Sequence, residues 1–236
     1  MRLKNLIPRK LRLIYKLNRR NIADFISGTS FAHVKDTDKA FSYSIAETQP
    51  IRQSSHFQNK IDNIKLGTKR IEQYTIAQGE TFSFWHAVGN PSPLKGFKIG
   101  RNLINGTLQA DYGGGLCQLS GIVYYCALKA GLTITERYNH TIDIYTEEER
   151  FTPLGSDATV VYGYKDLRIL NPYPFDVQFR FDIQDQSITC KLLSSEPISE
   201  RQLDFRRKKQ GAKVLVQTFS DNIHVANSEY ITSDNK

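Results

Sequence analysis

Cysteine is scarce: three residues in a chain of 236 cannot all pair. Cys117 and Cys126 fall on different faces of one helix read below. No disulfide framework is therefore expected, and free thiols suit a reducing compartment. No apolar run approaches the ~20 residues of a membrane-spanning helix, and the start lacks the uninterrupted apolar segment and small-residue cleavage site of a secretory signal. A cytoplasmic protein is the simplest expectation. The glycines follow neither a phosphate-loop lysine pattern nor a dinucleotide fingerprint, and no CxxC or HExxH pair gives metal-ligand spacing. No cofactor and no metal are expected. Acidic residues are missing from the first turns altogether: Arg2, Lys4, Arg9, Lys10, Arg12, Lys16, Arg19 and Arg20 all precede Asp24, and the remaining 24 basic residues balance the 24 acidic ones. The formal charge of +8 is thus a local feature, and no nucleic-acid partner is expected.

What is present is globular. At 39% hydrophobic and 11% aromatic, the composition can bury one large domain, with or without extensions. After Pro8, the apolar residues Leu11, Ile14, Tyr15, Leu17, Ile22 and Phe25 mark an amphipathic helix that stops at Gly28. Residues 1–28 are read as a basic N-terminal helix docked on the domain with a solvated basic face, and a peripheral contact with anionic membrane through 1–28 stays open. Residues 29–59 form a connector of mixed polarity. From His56 to Tyr74 the spacing predicts a helix broken near Gly67, followed by short strands at Thr75-Ile76 and from Gln78 to Phe84, ending at Trp85. Residues 86–115 are glycine- and proline-rich and read as mostly loop, of the kind that usually belongs to a site.

Asp111-Tyr112-Gly113-Gly114-Gly115-Leu116-Cys117-Gln118 runs a triple glycine into a cysteine. Leu119, Ile122, Val123, Cys126, Ala127 and Ala130 follow at helical spacing and Gly131 caps them, so Cys117 sits in a first helical turn. There the unpaired amides and the positive end of the dipole favour a thiolate. Cys117 shares a face with Gly121, Tyr124 and Leu128, and the small residue one turn behind the sulfur leaves room for another element. A buried structural cysteine is the competing reading. Beyond the helix, Thr133 to Tyr145 alternates as a strand with His140 on the apolar face. Asp157 to Tyr164 reads as a strand pairing with Asp166 to Leu170, and Val177 to Ile183 with Ser187 to Leu193 as a hairpin. Residues 194–236 form an extension with Arg206-Arg207-Lys208-Lys209 as a solvated turn, a strand from Val214 to Phe219 and a polar end.

Cys117, His140 and Asp157 therefore come in the order that cysteine-dependent acyl transfer needs: a thiolate, an imidazole to take and return its proton, and a carboxylate to fix the imidazole tautomer. The same three side chains are also a weak zinc set. The Cys117 amide would head an oxyanion site, with Gln118 and Gln109 as positioning candidates. Gly113, Gly114, Gly115, Ser120, Arg137 and Trp85 are the binding candidates. Asp143 is a poorer orienter, because strand parity puts it opposite His140.

Gly79 to Trp85, Gly113 to Ser120, Glu136 to His140 and Asp157 to Val160, followed by Asp166-Leu167 and Asn171, resemble the VanW family over roughly residues 60–193. That family is named from a gene cluster for resistance to vancomycin-type glycopeptides, and this chain is similar to its short form. It departs from the family pattern at Gly121 and Thr141, neither of them in the proposed triad. A second resemblance is to transglutaminase-like and papain-like cysteine enzymes, in which a cysteine heads a helix packed on an antiparallel sheet and histidine and aspartate follow on strands. The two resemblances imply an α+β fold with a transglutaminase/papain-like core. They also imply a role in cell-wall peptidoglycan metabolism and glycopeptide resistance, as a hydrolase or acyltransferase with a cell-wall peptide or precursor as substrate. The alternative is a non-catalytic module that binds a wall peptide or glycan and keeps Cys117 as a packed residue.

Overall fold

The computed structural model describes residues 7–35, 40–53, 55–104, 107–143 and 150–232. At its centre a cysteine-headed helix, α4 (Leu116–Lys129), lies on an antiparallel sheet. In chain order the elements before it are α1 (Arg9–Ile26), β1 (His33–Val34), β2 (Tyr43–Pro50), α2 (Phe57–Ile71), β3 (Tyr74–Ile76), β4 (Thr81–Ser83), α3 (Phe84–Val88), β5 (Ile99–Ile104) and β6 (Thr107–Tyr112). After it come β7 (Thr133–Glu136), β8 (Ile142–Asp143), β9 (Arg168–Leu170), β10 (Val177–Gln184), β11 (Ser187–Ser194), β12 (Leu203–Gln210), β13 (Lys213–Ser220) and β14 (Ile223–Thr232).

The main sheet has the order β1-β3-β10-β11-β2, with every neighbouring pair antiparallel. β10 and β11 form the predicted hairpin, in register from Val177↔Ser194 to Gln184↔Ser187. Its inward residues Val177, Phe179, Ile188, Cys190 and Leu192 are buried beneath α2 and α4, which also pack on each other. A three-stranded sheet (β4-β9-β7), a four-stranded one (β12-β13-β14-β8) and the β5-β6 hairpin complete the fold. The architecture is mixed and mostly β, with helices on one antiparallel sheet.

Several elements differ from the sequence reading, each for a physical reason. α2 runs unbroken through Gly67, where a Cβ would meet Leu119 Cδ2 at 2.6 Å, so the glycine lets the two helices approach. The connector contains an eight-residue strand, β2, paired along its whole length with β11. Its alternation is weak because two of its inward positions are polar, the buried Gln49 and Glu47, which pairs with Lys129. Phe84 to Val88 turns helical, with the Ser83 hydroxyl accepting from the His86 amide, rather than continuing the strand. The 86–115 stretch contains the β5-β6 hairpin. The basic run Arg206 to Lys209 lies within strand β12, and the polar end is strand β14. β7 stops at Glu136, and the 157–164 segment pairs only through the Val161–Lys165 bridge, while β9 pairs with β4 and β7 instead. Residues 144–149, which held the end of the predicted His140 strand and part of the charged loop, lie outside the described residues.

The triple glycine is explained by close packing. A Cβ on Gly114 would lie 2.6 Å from Gly100 Cα and 2.8 Å from the Arg101 nitrogen, both rigid backbone. Gly113 and Gly115 have φ of +85° and +101°, and a Cβ on either would press on Pro91 or on Lys60. The hairpin strand β5 is thereby pressed against the turn that starts α4. Gly114→Ala should destabilise the chain by about 1–3 kcal/mol or more through overpacking. Gly79→Ala, at φ +75° with nothing within 4 Å, should pay only the left-handed backbone cost of about 1–2 kcal/mol. Denaturant unfolding checks the pair: the packing explanation expects Gly114→Ala to lose about 2 kcal/mol or more beyond Gly79→Ala, and a Gly114→Ala loss no larger than that of Gly79→Ala would refute it.

Candidate active site around Cys117

α4 starts without a side-chain cap, at Gly115. The Leu116 amide donates to the Gly113 carbonyl at 3.1 Å, and Cys117 and Gln118 follow in the first turn, whose amides have no carbonyl one turn behind them in the helix. Cys117 is partly buried, whereas Cys126 and Cys190 are fully buried; all three are free thiols. Around Cys117 Sγ stand Thr159 Oγ1 at 3.7 Å and the Val160 carbonyl at 3.8 Å, and the His140 ring lies near enough to lower the thiol pKa.

The element for which Gly121 leaves room is the Asp157-Ala158 backbone. A Cβ on Gly121 would sit 3.7–3.8 Å from it, at ordinary contact distance. Ser120, buried, donates its hydroxyl to the Ala158 carbonyl at 2.6 Å and so fastens that segment to α4. The Thr159 amide in turn donates to the Tyr138 carbonyl at 2.7 Å, which sets the 138–140 backbone beside it. His140 thus reaches the sulfur from an irregular segment, and its approach depends on these cross-links rather than on strand parity.

Asp157 is where the site converges. Its Oδ2 accepts the His140 backbone amide at 2.7 Å and faces His140 Nδ1 at 2.6 Å. Its Oδ1 accepts Arg137 Nη2 at 3.0 Å and the Tyr230 hydroxyl. Arg137, 6% exposed and therefore a buried charge that must be matched, also donates Nε to the Asp157 carbonyl at 2.7 Å, Nη2 to the Gly155 carbonyl at 2.9 Å and Nη1 to Ser228 Oγ at 2.5 Å. Its guanidinium lies 4.8 Å from the Tyr124 ring centroid. Because an ionised carboxylate only accepts, Nδ1 carries a proton and Nε2 is the nitrogen left to meet the thiol.

The electrostatics follow from these contacts. Burial would raise the Asp157 pKa, but the His140 hydrogen bond and charge, Arg137 and Tyr230 outweigh it and hold the carboxyl well below the usual range. Burial would likewise discharge His140, yet the Asp157 hydrogen bond and the Cys117 thiol push it up to about 10. For Cys117 burial favours the neutral thiol, and His140 overcomes it, lowering the pKa. The three shifts together favour a thiolate–imidazolium pair on a fixed carboxylate. His140 and Asp157 keep 23% and 27% of their side-chain surface exposed, so the pair is only partly buried.

Other candidates fall elsewhere. Gln118 donates its side-chain amide to the Pro50 carbonyl at 2.8 Å, and Gln109 is exposed on β6; neither is among the partners of Sγ. Trp85 donates Nε1 to the Lys165 carbonyl at 2.7 Å and packs edge-on against Tyr162, beside α1 rather than beside the sulfur. Arg137 anchors Asp157, and the triple glycine serves packing at the helix start. Asp143 pairs with Arg150 at 2.5 Å. Among the described residues no group of three His, Cys, Asp or Glu side chains is arranged to hold a metal ion. Tyr230, Ser228 and Thr159 were not singled out in the sequence. On β14 the outward face carries Ile223, Val225 and Ile231 while Ser228 and Tyr230 point inward, so hydrophobicity alone marks the wrong face.

Comparison with known proteins agrees with the motif order. The chain is 34% identical over 148 residues to YoaR of Bacillus subtilis, covering 63% of this chain and 47% of that protein. It is 34% identical over 139 residues to the vancomycin B-type resistance protein VanW of Enterococcus faecalis, covering 59% of this chain and 50% of that protein. The chain thus spans about half the length of these relatives. No solved structure matches. The VanW like protein family matches residues 59–193, from the start of α2 to the end of β11, and the chain belongs to the VanW family.

Proposed function

We propose that this VanW-family chain is a cysteine-dependent acyl-transfer enzyme, a hydrolase or acyltransferase of transglutaminase-like arrangement that acts on an amide or peptide of the cell wall. The observation that carries the reading is the fixed Asp157–His140 pair in the neighbourhood of Cys117, with both carboxylate oxygens of Asp157 already occupied by donors. A carboxylate so fixed holds one imidazole tautomer and leaves Nε2 to handle the thiol proton. The resistance name of the Enterococcus faecalis relative supports a wall peptide or precursor as the substrate class.

In this reading the Cys117 thiolate attacks the substrate carbonyl carbon, and the carbonyl electron pair moves to oxygen to form an oxyanion. Amides of the first turn of α4 face that charge. As the oxyanion collapses, the C–N bond breaks and the His140 imidazolium gives its proton to the departing amine. His140, now neutral, removes a proton from water or an acceptor amine, which attacks the thioester and releases Cys117 as thiolate. A binding module with a packed cysteine is the second reading, favoured by the lodging of Sγ against Thr159 and the Val160 carbonyl.

The decisive experiment is acyl trapping. Incubation with p-nitrophenyl acetate should place one acetyl group on Cys117, seen by peptide mass spectrometry, and His140→Ala should slow its formation at least about tenfold. A wild-type chain that neither holds an acetyl group nor releases p-nitrophenol faster than His140→Ala refutes the enzyme reading.

The charge pair also predicts a pH profile. Iodoacetamide should alkylate Cys117 at pH 6.5 about tenfold or more faster in the wild type than in His140→Ala, since each pK unit is tenfold in thiolate fraction. The buried Cys126 and Cys190 stay silent in the folded chain. For stability, His140 is raised from 6.5 to about 10, so its contribution is full below 6.5 and is lost as pH rises through about 10. Asp157 is depressed from 3.8, so its contribution is present above that value and is lost as pH falls toward the folded pKa. Tyr230→Phe removes a hydrogen bond to a charged group and should cost about 1.5–3 kcal/mol at pH 7 in urea unfolding. A loss below about 0.5 kcal/mol would show that the Tyr230 hydroxyl does not support Asp157.

A further inference from the structure

Helix α1 docks on the domain through Leu13, Leu17, Arg20 and Asp24, of which Leu17 alone belongs to the apolar set marked in the sequence. Leu13 and Leu17 pack against Gly163, where a Cβ would lie 2.3 Å from Leu13 Cδ1. Arg20 pairs with both oxygens of Glu136 at 2.9 and 2.6 Å, and both oxygens of Asp24 pair with Arg168 at 2.5 and 2.8 Å. These four positions share one side of the helix, and they include its single acidic residue.

The other side carries Leu11, Ile14, Tyr15, Ile22, Phe25 and Ile26, exposed by 53 to 88%. At 100° per residue they fill an arc of about 120°, interrupted only by Asn18. Lys10 flanks the arc on one side and Arg12 and Arg19 on the other, all exposed, and Asp24, the one carboxylate of α1, is turned toward Arg168. An apolar patch of this width on a soluble surface marks an interaction site. Its basic borders give the occupant a negative charge spread over a plane, at the depth where apolar side chains can enter hydrocarbon. A nucleic acid would satisfy the charge but leave the arc exposed. α1 does not cross a bilayer: among the described residues no helix is long and apolar enough to do so.

We infer that α1 is an interfacial helix that lays its apolar arc into the surface of an anionic lipid bilayer, with Lys10, Arg12 and Arg19 at the headgroups. The Arg20–Glu136 and Arg168–Asp24 pairs then hold the domain against the opposite side of the helix, so the domain is carried at the bilayer surface. Glu136 is the neighbour of Arg137, which places the bilayer anchor one residue from the buttress of Asp157. The inference is independent of the acyl-transfer proposal, because none of its residues touches Cys117, His140 or Asp157.

Co-sedimentation of the full chain with vesicles tests it. The chain should bind vesicles of equal parts phosphatidylglycerol and phosphatidylcholine, and bind phosphatidylcholine alone at least about tenfold more weakly. Ile22→Ser/Phe25→Ser should reduce binding to the anionic vesicles at least about tenfold. Arg12→Glu/Arg19→Glu should abolish the preference for them. The substituted side chains are exposed, so thermal unfolding and Cys117 alkylation should match the wild type, separating loss of lipid binding from loss of fold or of the site. Absence of binding by the wild type, or equal binding by the apolar double variant, overturns the inference. A wild-type dimer in sedimentation velocity that Ile22→Ser/Phe25→Ser converts to monomer, without vesicle binding, also overturns it, in favour of a second copy as the occupant.

Discussion

The carboxylate of Asp157 organises the site. Four donors, the His140 amide and ring, Arg137 and Tyr230, reach its two oxygens from parts of the chain far apart in sequence. Burying the Arg137 charge is unfavourable alone, and so is burying Asp157; each is tolerable because the other is there with its geometry filled. Once the pair is set, the remaining positions follow. Asp157 fixes the His140 ring near Cys117, and Ser120 ties the Asp157–Val160 segment to the helix that carries the cysteine. The C-terminal sheet enters the site in the same way, because Ser228 and Tyr230 of β14 close the ring around Arg137.

The helix start imposes the complementary constraint. The Cys117 thiol is useful only if the first turn of α4 is close to the 157–160 segment and clear of capping side chains. Gly114 achieves this by letting β5 backbone press directly on the turn, while Gly113 and Gly115 take positive φ against Pro91 and Lys60. The short edge of the structure at β5 and β6 is therefore part of the support for the site, even though no side chain from it touches the sulfur among the described contacts.

How much of this was legible in the sequence differed by the kind of signal. Helical spacing after Cys117, the Gly131 stop and the β10-β11 alternation are strong local patterns, and the structure has those elements. The strand read from Thr133 to Tyr145 survives as β7 and β8, but between them, and at Asp157, Arg137 and Asp157 replace the ladder with side-chain bonds that no local period reveals. β2 was missed because Glu47 and Gln49 occupy its inward face, and Tyr230 because β14 turns its aliphatic residues outward. A similar turn occurs in α1, where Leu17 faces the domain but the ion pairs leave Leu11, Ile14, Tyr15, Ile22 and Phe25 in solvent. Periodicity identified the helix; long-range charge pairing decided which face is buried.

The central claim is that Asp157 and Cys117 hold His140 as an imidazolium at neutral and mildly alkaline pH. Nitrogen-15 NMR of the His140 ring reads that state directly. The account predicts a ring protonated on both nitrogens at pH 8, titrating near 10. A His140 ring that loses its proton near the ordinary value of 6.5 would contradict it.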